Sequence, residues 1–213
     1  MRAEPSDLPI HGGALRGERA GAGAPALVLH GATGVSDYMR ECAESLDGLS
    51  STIRYTQRGT PPSEVPGPYT IESHMADALA ILDSFGIERA WAIGHSWGGQ
   101  LALHLLVAHP ERLLGVLCID SPGADRPVFG EFDKNLKPKH GPPKARLPAL
   151  FVHGEHDPLP VRASTETAAL TPGARVETIP HAGRFPWLED PQAVRAAGER
   201  LRHDAATDET EAA

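Results

Sequence analysis

The chain has 213 residues, of which 40% are hydrophobic, and a formal net charge of −8. This length and composition fit one globular domain and exclude a fibrous or fully disordered protein. The acidic balance argues against nucleic acid and anionic membranes as partners, because both require a basic surface. No apolar run is long enough for a signal peptide or a membrane span, so we expect a cytoplasmic protein whose two cysteines, Cys42 and Cys118, are buried thiols.

Composition divides the chain into three parts. Gly, Ala and Pro dominate residues 1–23, which predicts an irregular N-terminal arm, with an edge hairpin as the alternative. Residues 24–202 carry the apolar patterns of a single domain. Residues 203–213 are acidic and nearly free of large apolar side chains, which predicts a disordered tail.

Six short apolar runs predict the strands of one sheet. The runs that start at residues 26, 114 and 149 are apolar on both faces, which is typical of parallel strands covered on both sides by helices. The six predicted strands are residues 26–30, 52–56, 90–93, 114–120, 149–153 and 175–179.

Helical patterns lie between these strands. Residues 71–85 place their apolar side chains on one stripe, and Gly86 can cap the helix end. Residues 97–108 form a second helix, and Asp190 can cap a last helix that begins at Pro191. The alternation predicts an α/β fold, with a mostly parallel sheet flanked by helices on both faces. Ligand sites in such folds lie beyond the carboxyl ends of the strands.

The strongest motif is a G-x-S-x-G at Gly94-His95-Ser96-Trp97-Gly98, between a predicted strand and a predicted helix. In that context a sharp turn exposes the serine hydroxyl at the helix N-terminus, where peptide dipoles favour negative charge. Glycine-rich turns also occur for packing alone. The strand-to-helix context favours Ser96 as a nucleophile.

A second motif, "LVLHGATG", ends the first strong strand with His30 and Gly31. If it lies beside Ser96, the backbone N–H of Ala32 can join that of Trp97 as an oxyanion hole. His30 is expected to shape this loop. Neither His30 nor His95 is favoured as a catalytic base, because side chains beside such a turn usually pack into neighbouring strands.

The chain resembles α/β-hydrolases related to proline iminopeptidases and bacterial esterases. "HGATG", "YTQRGTPPS", "GHSWGG", "ALFVHGEHDPLP" and "FPWLEDP" occur in family order, and the resemblance covers most of residues 24–200. It implies an α/β-hydrolase fold that needs no cofactor and no metal. In the family Q-R-G opens a loop along the pocket, so Gln57 and Arg58 are expected to shape the pocket, with Gln57 and His30 near the substrate.

The resemblance also assigns the triad acid to Asp157, in "GEHDPLP", where a buried carboxylate would orient a histidine and stabilise its charged form. Asp157 could instead only open a turn before Pro158. Asp120, at the end of the preceding predicted strand, is the alternative acid.

The position that holds the base in relatives is occupied by Arg184. Relatives read roughly A-G-H-F-P-W-L-E in this loop, whereas residues 182–189 read A-G-R-F-P-W-L-E. A guanidinium has a pKa above about 12 and no lone pair to accept a proton, so Arg184 cannot act as a general base. It can pair with Asp157, or bind a substrate carboxylate or phosphate.

His181, three residues before Arg184, is the remaining candidate for the base. Three residues of extended chain span up to roughly 10 Å, whereas proton transfer needs about 3 Å between heavy atoms. His181 therefore serves only if the loop coils back toward Ser96. The alternative is that it ends the last strand.

Relatives carry a helical cap between the strands that end near Asp120 and start near Leu147. Residues 125–146 are rich in proline and glycine and have room for one short helix around residues 131–136. We expect a reduced lid and an open pocket, which a second copy of the chain could cover. Such a cleft suits a small-molecule or carrier-tethered acyl substrate.

These features favour an enzyme that cleaves or transfers an acyl group of an ester, thioester or lactone, with Ser96, Asp157 and His181 as catalytic residues and activity impaired by the missing base. One alternative uses the same fold and Arg184 to bind an anionic substrate for isomerisation, cyclisation or elimination. Another is an inactive binding protein.

Overall fold

The structure, a computed structural model, describes residues 4–10, 13–32, 34–122 and 147–211. The strands are β1 (Glu4–Ile10), β2 (Gly13–Gly21), β3 (Ala24–Leu29), β4 (Ser50–Tyr55), β5 (Ala90–His95), β6 (Leu113–Ile119), β7 (Ala149–Gly154) and β8 (Arg175–Ile179). The helices are α1 (Arg40–Ser45), α2 (Ile71–Ser84), α3 (Trp97–Ala108), α4 (Arg162–Ala169), α5 (Pro186–Glu189) and α6 (Pro191–Glu211), with a 3₁₀ turn at Pro110–Arg112.

The strands form one sheet in the order β1-β2-β4-β3-β5-β6-β7-β8. The six strands from β4 to β8 in this order are parallel, and β1 and β2 add an antiparallel hairpin beside β4. The predicted α/β fold with a mostly parallel sheet is confirmed. All six predicted strands are present, each shifted by at most two residues at either end.

Two predictions about the chain ends are wrong. Residues 4–21 are not an irregular arm, because β1 and β2 pair with each other and β2 pairs with β4; the alternative of an edge hairpin is the correct one. The predicted tail from residue 203 is not disordered as far as Glu211, because α6 continues to that residue. Alanine and glutamate favour helix, and Ala205 still packs against the core.

Helices cover both faces of the sheet. Successive strand residues point to opposite faces, so β6 sends Val116 and Cys118 to the side of α2 and α3, and Leu117 and Ile119 to the side of α1, α5 and α6. Cys42 and Cys118 lie in different cores, and both are buried free thiols as predicted.

β8 forms one edge of the sheet and carries charged side chains that pair with α6. Arg175 pairs with Asp204, and Glu177 pairs with Arg200, so both β8 side chains bind α6. Along the part of the chain that the structure describes, no helix has the length and apolar character to cross a bilayer. The predicted lid, residues 125–146 with its helix at 131–136, lies outside the described residues.

Candidate active site

Ser96 stands at a sharp turn between β5 and α3, as the G-x-S-x-G motif predicts. Its φ of 53° and ψ of −120° are strained for a residue that carries a side chain. The residue is half-buried, and its N–H donates to the Ile119 carbonyl at 2.9 Å. The turn holds Ser96 at the N-terminus of a 12-residue helix, where backbone N–H groups lack helical acceptors.

The outer glycines of the motif leave no room for a side chain. A Cβ on Gly94 would lie 2.1 Å from the carbonyl oxygen of Gly98, and one on Gly98 would lie 2.0 Å from the carbonyl oxygen of Leu29. Because the obstructing atoms are backbone, neither contact can be relieved by turning a side chain. Close packing of α3 against β3 and β5 therefore requires both glycines.

The loop after β3 lies directly against the serine. A Cβ on Gly31 would stand 2.7 Å from Ser96 Cβ and 2.4 Å from the Tyr38 hydroxyl, so all three residues meet at one point. Ala32 follows with a φ of 44° and is exposed. Ala32 and Trp97 thus belong to the two segments that flank Ser96. Their service as oxyanion donors stays a prediction.

His30 and Gln57, predicted to contact substrate, are buried and bound to each other. His30 Nε2 accepts the Gln57 backbone N–H at 2.9 Å, and the Gln57 side-chain amide donates to the His30 carbonyl at 2.6 Å. Gln57 Oε1 also accepts the Trp97 indole N–H at 2.9 Å. These bonds join the loops after β3 and β4 to the start of α3. The two buried residues therefore fix the segments around Ser96 relative to one another.

Arg58 fixes the same loop to α2. Its guanidinium donates to both carboxylate oxygens of Asp77 at 2.6 Å, and Nη1 donates to the Pro68 carbonyl at 3.0 Å. Both side chains of the ion pair are 1% exposed. The expected role of Arg58 in shaping the pocket fits this bidentate contact.

Asp157 and Arg184 form the ion pair that the sequence allowed. Arg184 Nη1 donates to Asp157 Oδ2 at 2.8 Å and to the Asp120 carbonyl at 2.8 Å. The Asp157 side chain is fully buried and also accepts the Leu159 N–H at 2.8 Å. The guanidinium therefore binds the carboxylate that the resemblance pairs with the catalytic imidazole.

Asp120 lies beside Asp157 at the carboxyl end of β6. Asp120 Oδ1 accepts the Gly154 N–H at 2.9 Å and lies 3.4 Å from His153 Nδ1. The other carboxylate oxygen, Oδ2, is buried and has no hydrogen-bond partner among the described residues when both carboxyls are ionised. Burial raises the pKa of Asp120 to about 9, and a hydrogen bond to Asp157 adds to the shift. Burial alone would raise the pKa of Asp157, but the bonds from Asp120, Leu159 and Arg184 lower it. The two shifts have opposite directions, so a proton shared by the pair lies on the Asp120 side rather than on Asp157.

His95 and Tyr38 form a second polar pair next to Ser96. His95 Nε2 lies 3.0 Å from the Arg184 carbonyl, which can only accept, so Nε2 carries the proton. The other nitrogen, Nδ1, is then free to accept from the Tyr38 hydroxyl at 2.6 Å. The Tyr38 hydroxyl in turn accepts the Gly31 N–H at 2.9 Å. Burial, helped by the charge of Arg184, lowers the pKa of His95 to about 3.

His181 lies with a different acid from the predicted one. Its backbone N–H donates to Glu155 Oε2 at 2.7 Å, its Nδ1 lies 3.5 Å from the same oxygen, and its side chain is 89% exposed. The acid Asp157 is bound by Arg184 and Asp120. The structure therefore brings Ser96, Gly31 and Tyr38 together, and Asp157 with Arg184, but it does not bring His181 to Asp157.

A comparison with known families matches residues 25–146 to the alpha/beta hydrolase fold. The chain belongs to this alpha/beta hydrolase family. The match spans β3 to β6, and so includes Ser96 and the glycines that support it.

Two relatives of the chain are named hydrolases. Epoxide hydrolase B of Mycobacterium tuberculosis is 40% identical over 62 residues, which are 29% of this chain and 17% of the relative. The putative carbamate hydrolase RutD of Caulobacter vibrioides is 27% identical over 176 residues, 76% of this chain and 63% of the relative. The chain thus spans less than two thirds of the length of either relative.

A solved structure shows the same fold over nearly the whole chain. The 2-hydroxy-6-oxo-6-phenylhexa-2,4-dienoate hydrolase BphD from Rhodococcus sp. strain RHA1 matches with a TM-score of 0.82 at 18% sequence identity. The match covers 95% of this chain and 99% of that chain. It confirms the α/β-hydrolase fold that the sequence predicts.

Sequence reasoning missed one part of this candidate site and gave too little weight to another. Tyr38 belongs to no motif, and nothing in its spacing from Gly31 indicates that its hydroxyl meets the serine turn. Asp120 was considered only as the alternative acid. Its signal was available, because β6 and β7 are parallel neighbours whose carboxyl ends bring Asp120 and Asp157 to one edge.

Proposed function

We propose that the chain is a serine-dependent acyl hydrolase or acyltransferase acting on an ester, thioester or lactone. The observation that carries the proposal is Ser96 at a φ of 53°, at the N-terminus of α3, with the Gly31 loop in contact. This geometry suits a hydroxyl that attacks a carbonyl carbon while the N–H groups of Ala32 and Trp97 bind the resulting oxyanion.

The proton of Ser96 passes to His95 through Tyr38 in this proposal. No hydrogen bond joins Ser96 to Tyr38 among the described residues, so the route requires the Ser96 side chain to turn toward the Tyr38 hydroxyl, which lies across Gly31 from it. As Ser96 Oγ bonds to the carbonyl carbon, its proton then moves to the Tyr38 oxygen, and the Tyr38 proton moves to His95 Nδ1, for which the tautomer is already set. Collapse of the tetrahedral species breaks the bond to the alkoxide or thiolate, which takes a proton back along the same path. Water, or an acceptor alcohol, then removes the acyl group from Ser96 in the reverse sequence.

Turnover by this route is slow. A base with a pKa of about 3 attracts a proton weakly, so His95 supports little general-base catalysis near neutral pH. In another serine hydrolase, loss of the histidine base alone costs about 10⁶ in kcat, and about 10³–10⁴ over water remains from the oxyanion hole and binding. We expect a rate between that residual level and the rate of an enzyme with an intact histidine base.

Covalent labelling of Ser96 with a fluorophosphonate tests the proposal. We expect stoichiometric labelling that disappears in Ser96→Ala and slows in Tyr38→Phe. His109→Ala is a control, because the His109 side chain pairs with Glu111 and has no other side-chain partner among the described residues. His181→Ala separates the two candidate bases. Slowed labelling in that variant with normal labelling in Tyr38→Phe would restore His181 as the base, and no labelling of Ser96 in the unmodified chain would end the acyl-transfer proposal.

One observation favours the second candidate, in which Arg184 binds an anionic substrate. Both of its described bonds use Nη1, the guanidinium has further N–H groups, and the side chain is 24% exposed. A substrate carboxylate or phosphate could therefore add to the existing ion pair. Binding of small dicarboxylates that is lost in Arg184→Gln, in a chain whose Ser96 is not labelled, would support it.

A further inference from the structure

The three exposed side chains of Glu155, His156 and His181 meet on the surface of the β7 and β8 loops; we call them the Glu155 cluster. β7 and β8 are parallel and paired at Gly154 and Ile179, so the residues that follow each strand emerge side by side. Backbone bonds join the two turns, from Glu155 N–H to the Ile179 carbonyl at 3.0 Å and from His156 N–H to the Ala182 carbonyl at 2.8 Å. The cluster thus rests on a fixed backbone.

The carboxylate of Glu155 lies close to both His156 and His181. Its Oε2 accepts the His181 N–H at 2.7 Å and lies 3.5 Å from His181 Nδ1 and 4.0 Å from His156 Nε2. His181 has a φ of 61°, an unusual conformation for a residue with a side chain, which turns its backbone N–H to the carboxylate. One oxygen and two imidazole nitrogens therefore converge, with all three donor atoms within 4.8 Å of one another.

These separations fit a tetrahedral transition-metal ion. Zinc binds imidazole nitrogen and carboxylate oxygen at about 2.0–2.2 Å, so two ligand atoms of a tetrahedral site lie about 3.4 Å apart. The Glu155–His181 pair already has about this spacing at 3.5 Å, and His156 Nε2, at 4.0 Å from Glu155 Oε2, must move closer. The side chains of His156 and His181 are 64% and 89% exposed, which leaves room for that movement.

We propose that the Glu155 cluster is a surface site for zinc or a similar borderline divalent metal, with water as the fourth ligand. Two imidazoles select such ions over calcium and magnesium, which prefer oxygen ligands. The bound ion ties together the loop that holds Asp157 and the loop that holds Arg184. The site does not depend on the acyl chemistry proposed for Ser96.

The test is zinc binding by the whole chain, stripped of metal and carrying no polyhistidine tag. At pH 7.5 we expect calorimetry to give one equivalent of Zn²⁺ per chain and a rise in Tm with zinc concentration, and no such response to Mg²⁺. His181→Ala and His156→Ala should each weaken zinc affinity at least about tenfold. Glu155→Gln should weaken it as well.

His109→Ala is the matched control. His109 Nδ1 also lies 3.5 Å from a carboxylate, that of Glu111, but this pair belongs to no three-ligand group among the described residues. Its zinc affinity should equal that of the unmodified chain. No saturable zinc binding, or unchanged binding in the His156→Ala, His181→Ala double variant with a normal circular dichroism spectrum, would overturn the proposal. The second result would direct attention to the buried group of Asp120, His153 and Asp157.

Discussion

At the scale of single residues, Arg184 has two effects on the site. It stands where relatives have a histidine base, and its charge shifts the pKa values of neighbouring groups. The guanidinium binds Asp157 and helps to lower the pKa of that carboxyl. The same charge also lowers the pKa of His95, whose ring is bonded to the Arg184 carbonyl. One side chain thus occupies the position that holds the base in relatives and lowers the pKa of the imidazole that we propose in its place.

Replacing Arg184 with histidine should increase esterase turnover. The new imidazole would stand beside the buried Asp157, and general-base catalysis typically contributes about 10²–10⁴. Hydrolysis of p-nitrophenyl acetate measures the gain. Arg184→Gln is the matched control, because it removes the charge without supplying a base. Equal gains in both variants would mean that the charge of Arg184 alone limits the rate.

The pKa of Asp120 predicts a pH-dependent stability. Folded Asp120 keeps its proton to about pH 9, whereas the unfolded residue loses it near its ordinary value of 3.8. Between these values the folded state binds more protons, so the free energy of unfolding falls as pH rises, by up to about 1.4 kcal/mol per pH unit. Urea unfolding from pH 7 to 9 should show this loss, and Asp120→Asn should reduce it.

The interval from pH 7 to 8 isolates Asp120 best, because the buried thiols of Cys42 and Cys118, whose pKa values are raised above their ordinary 9.0, add a loss of the same sign nearer pH 9. Asp37, whose pKa is raised to about 6, and His74 and His95, whose pKa values are lowered to about 4 and 3, have completed their titration below it. Parallel pH profiles for the unmodified chain and Asp120→Asn would show that Asp120 is ionised in the folded protein.

Gly98 should tolerate no side chain. In Gly98→Ala the methyl group would stand 2.0 Å from the Leu29 carbonyl oxygen, so α3 must move away from β3, at a cost of about 3 kcal/mol or more. Gly86→Ala is the control, because Gly86 has a φ of +64° but open space around it, and should lose only about 1–2 kcal/mol. Urea denaturation measures both, and similar losses would contradict the predicted clash.

At the scale of secondary structure elements, two ion pairs of equal length should contribute differently to the free energy of unfolding. Arg58–Asp77 and Arg112–Asp83 both have a closest distance of 2.6 Å, but the first is 1% exposed on both sides and the second is 20% and 64% exposed. Asp77→Ala leaves Arg58 buried without its partner and should cost about 3–5 kcal/mol in the free energy of unfolding. Asp83→Ala should cost at most about 1 kcal/mol. Equal losses would mean that burial does not determine how much the Arg58–Asp77 pair contributes to the free energy of unfolding.

Elements with strong apolar patterns were predictable, and elements stabilised by contacts were not. α2 and α3 have the predicted limits to within one residue, and Asp190 caps α6 through the Ala193 N–H at 2.9 Å. The β1–β2 hairpin carries little apolar signal and depends on pairing with β4. The last turns of α6 form because their residues favour helix and because they continue a helix that has already formed. Composition alone does not indicate this continuation.

At the scale of the whole molecule, the site lies where parallel strands end together. Ser96 follows β5, Gly31 follows β3, Asp120 follows β6 and Asp157 follows β7. The sequence predicted the sharp turn at Ser96 and allowed the Asp157–Arg184 ion pair, because these residues belong to motifs beside strand ends. The catalytic roles of Ser96 and Asp157 stay predictions. It did not predict the Tyr38–His95 bond, because Tyr38 lies in a loop whose path is set by tertiary packing.

The ion pairs of β8 have a consequence for assembly. An edge strand with free backbone groups invites another chain to extend the sheet, and such addition is a common route to aggregation. A strand approaching β8 would meet Arg175 and Glu177 and the helix that holds them. Self-association of this chain, which the sequence analysis allows over the pocket, should therefore use the faces of the molecule and leave the β8 edge unpaired.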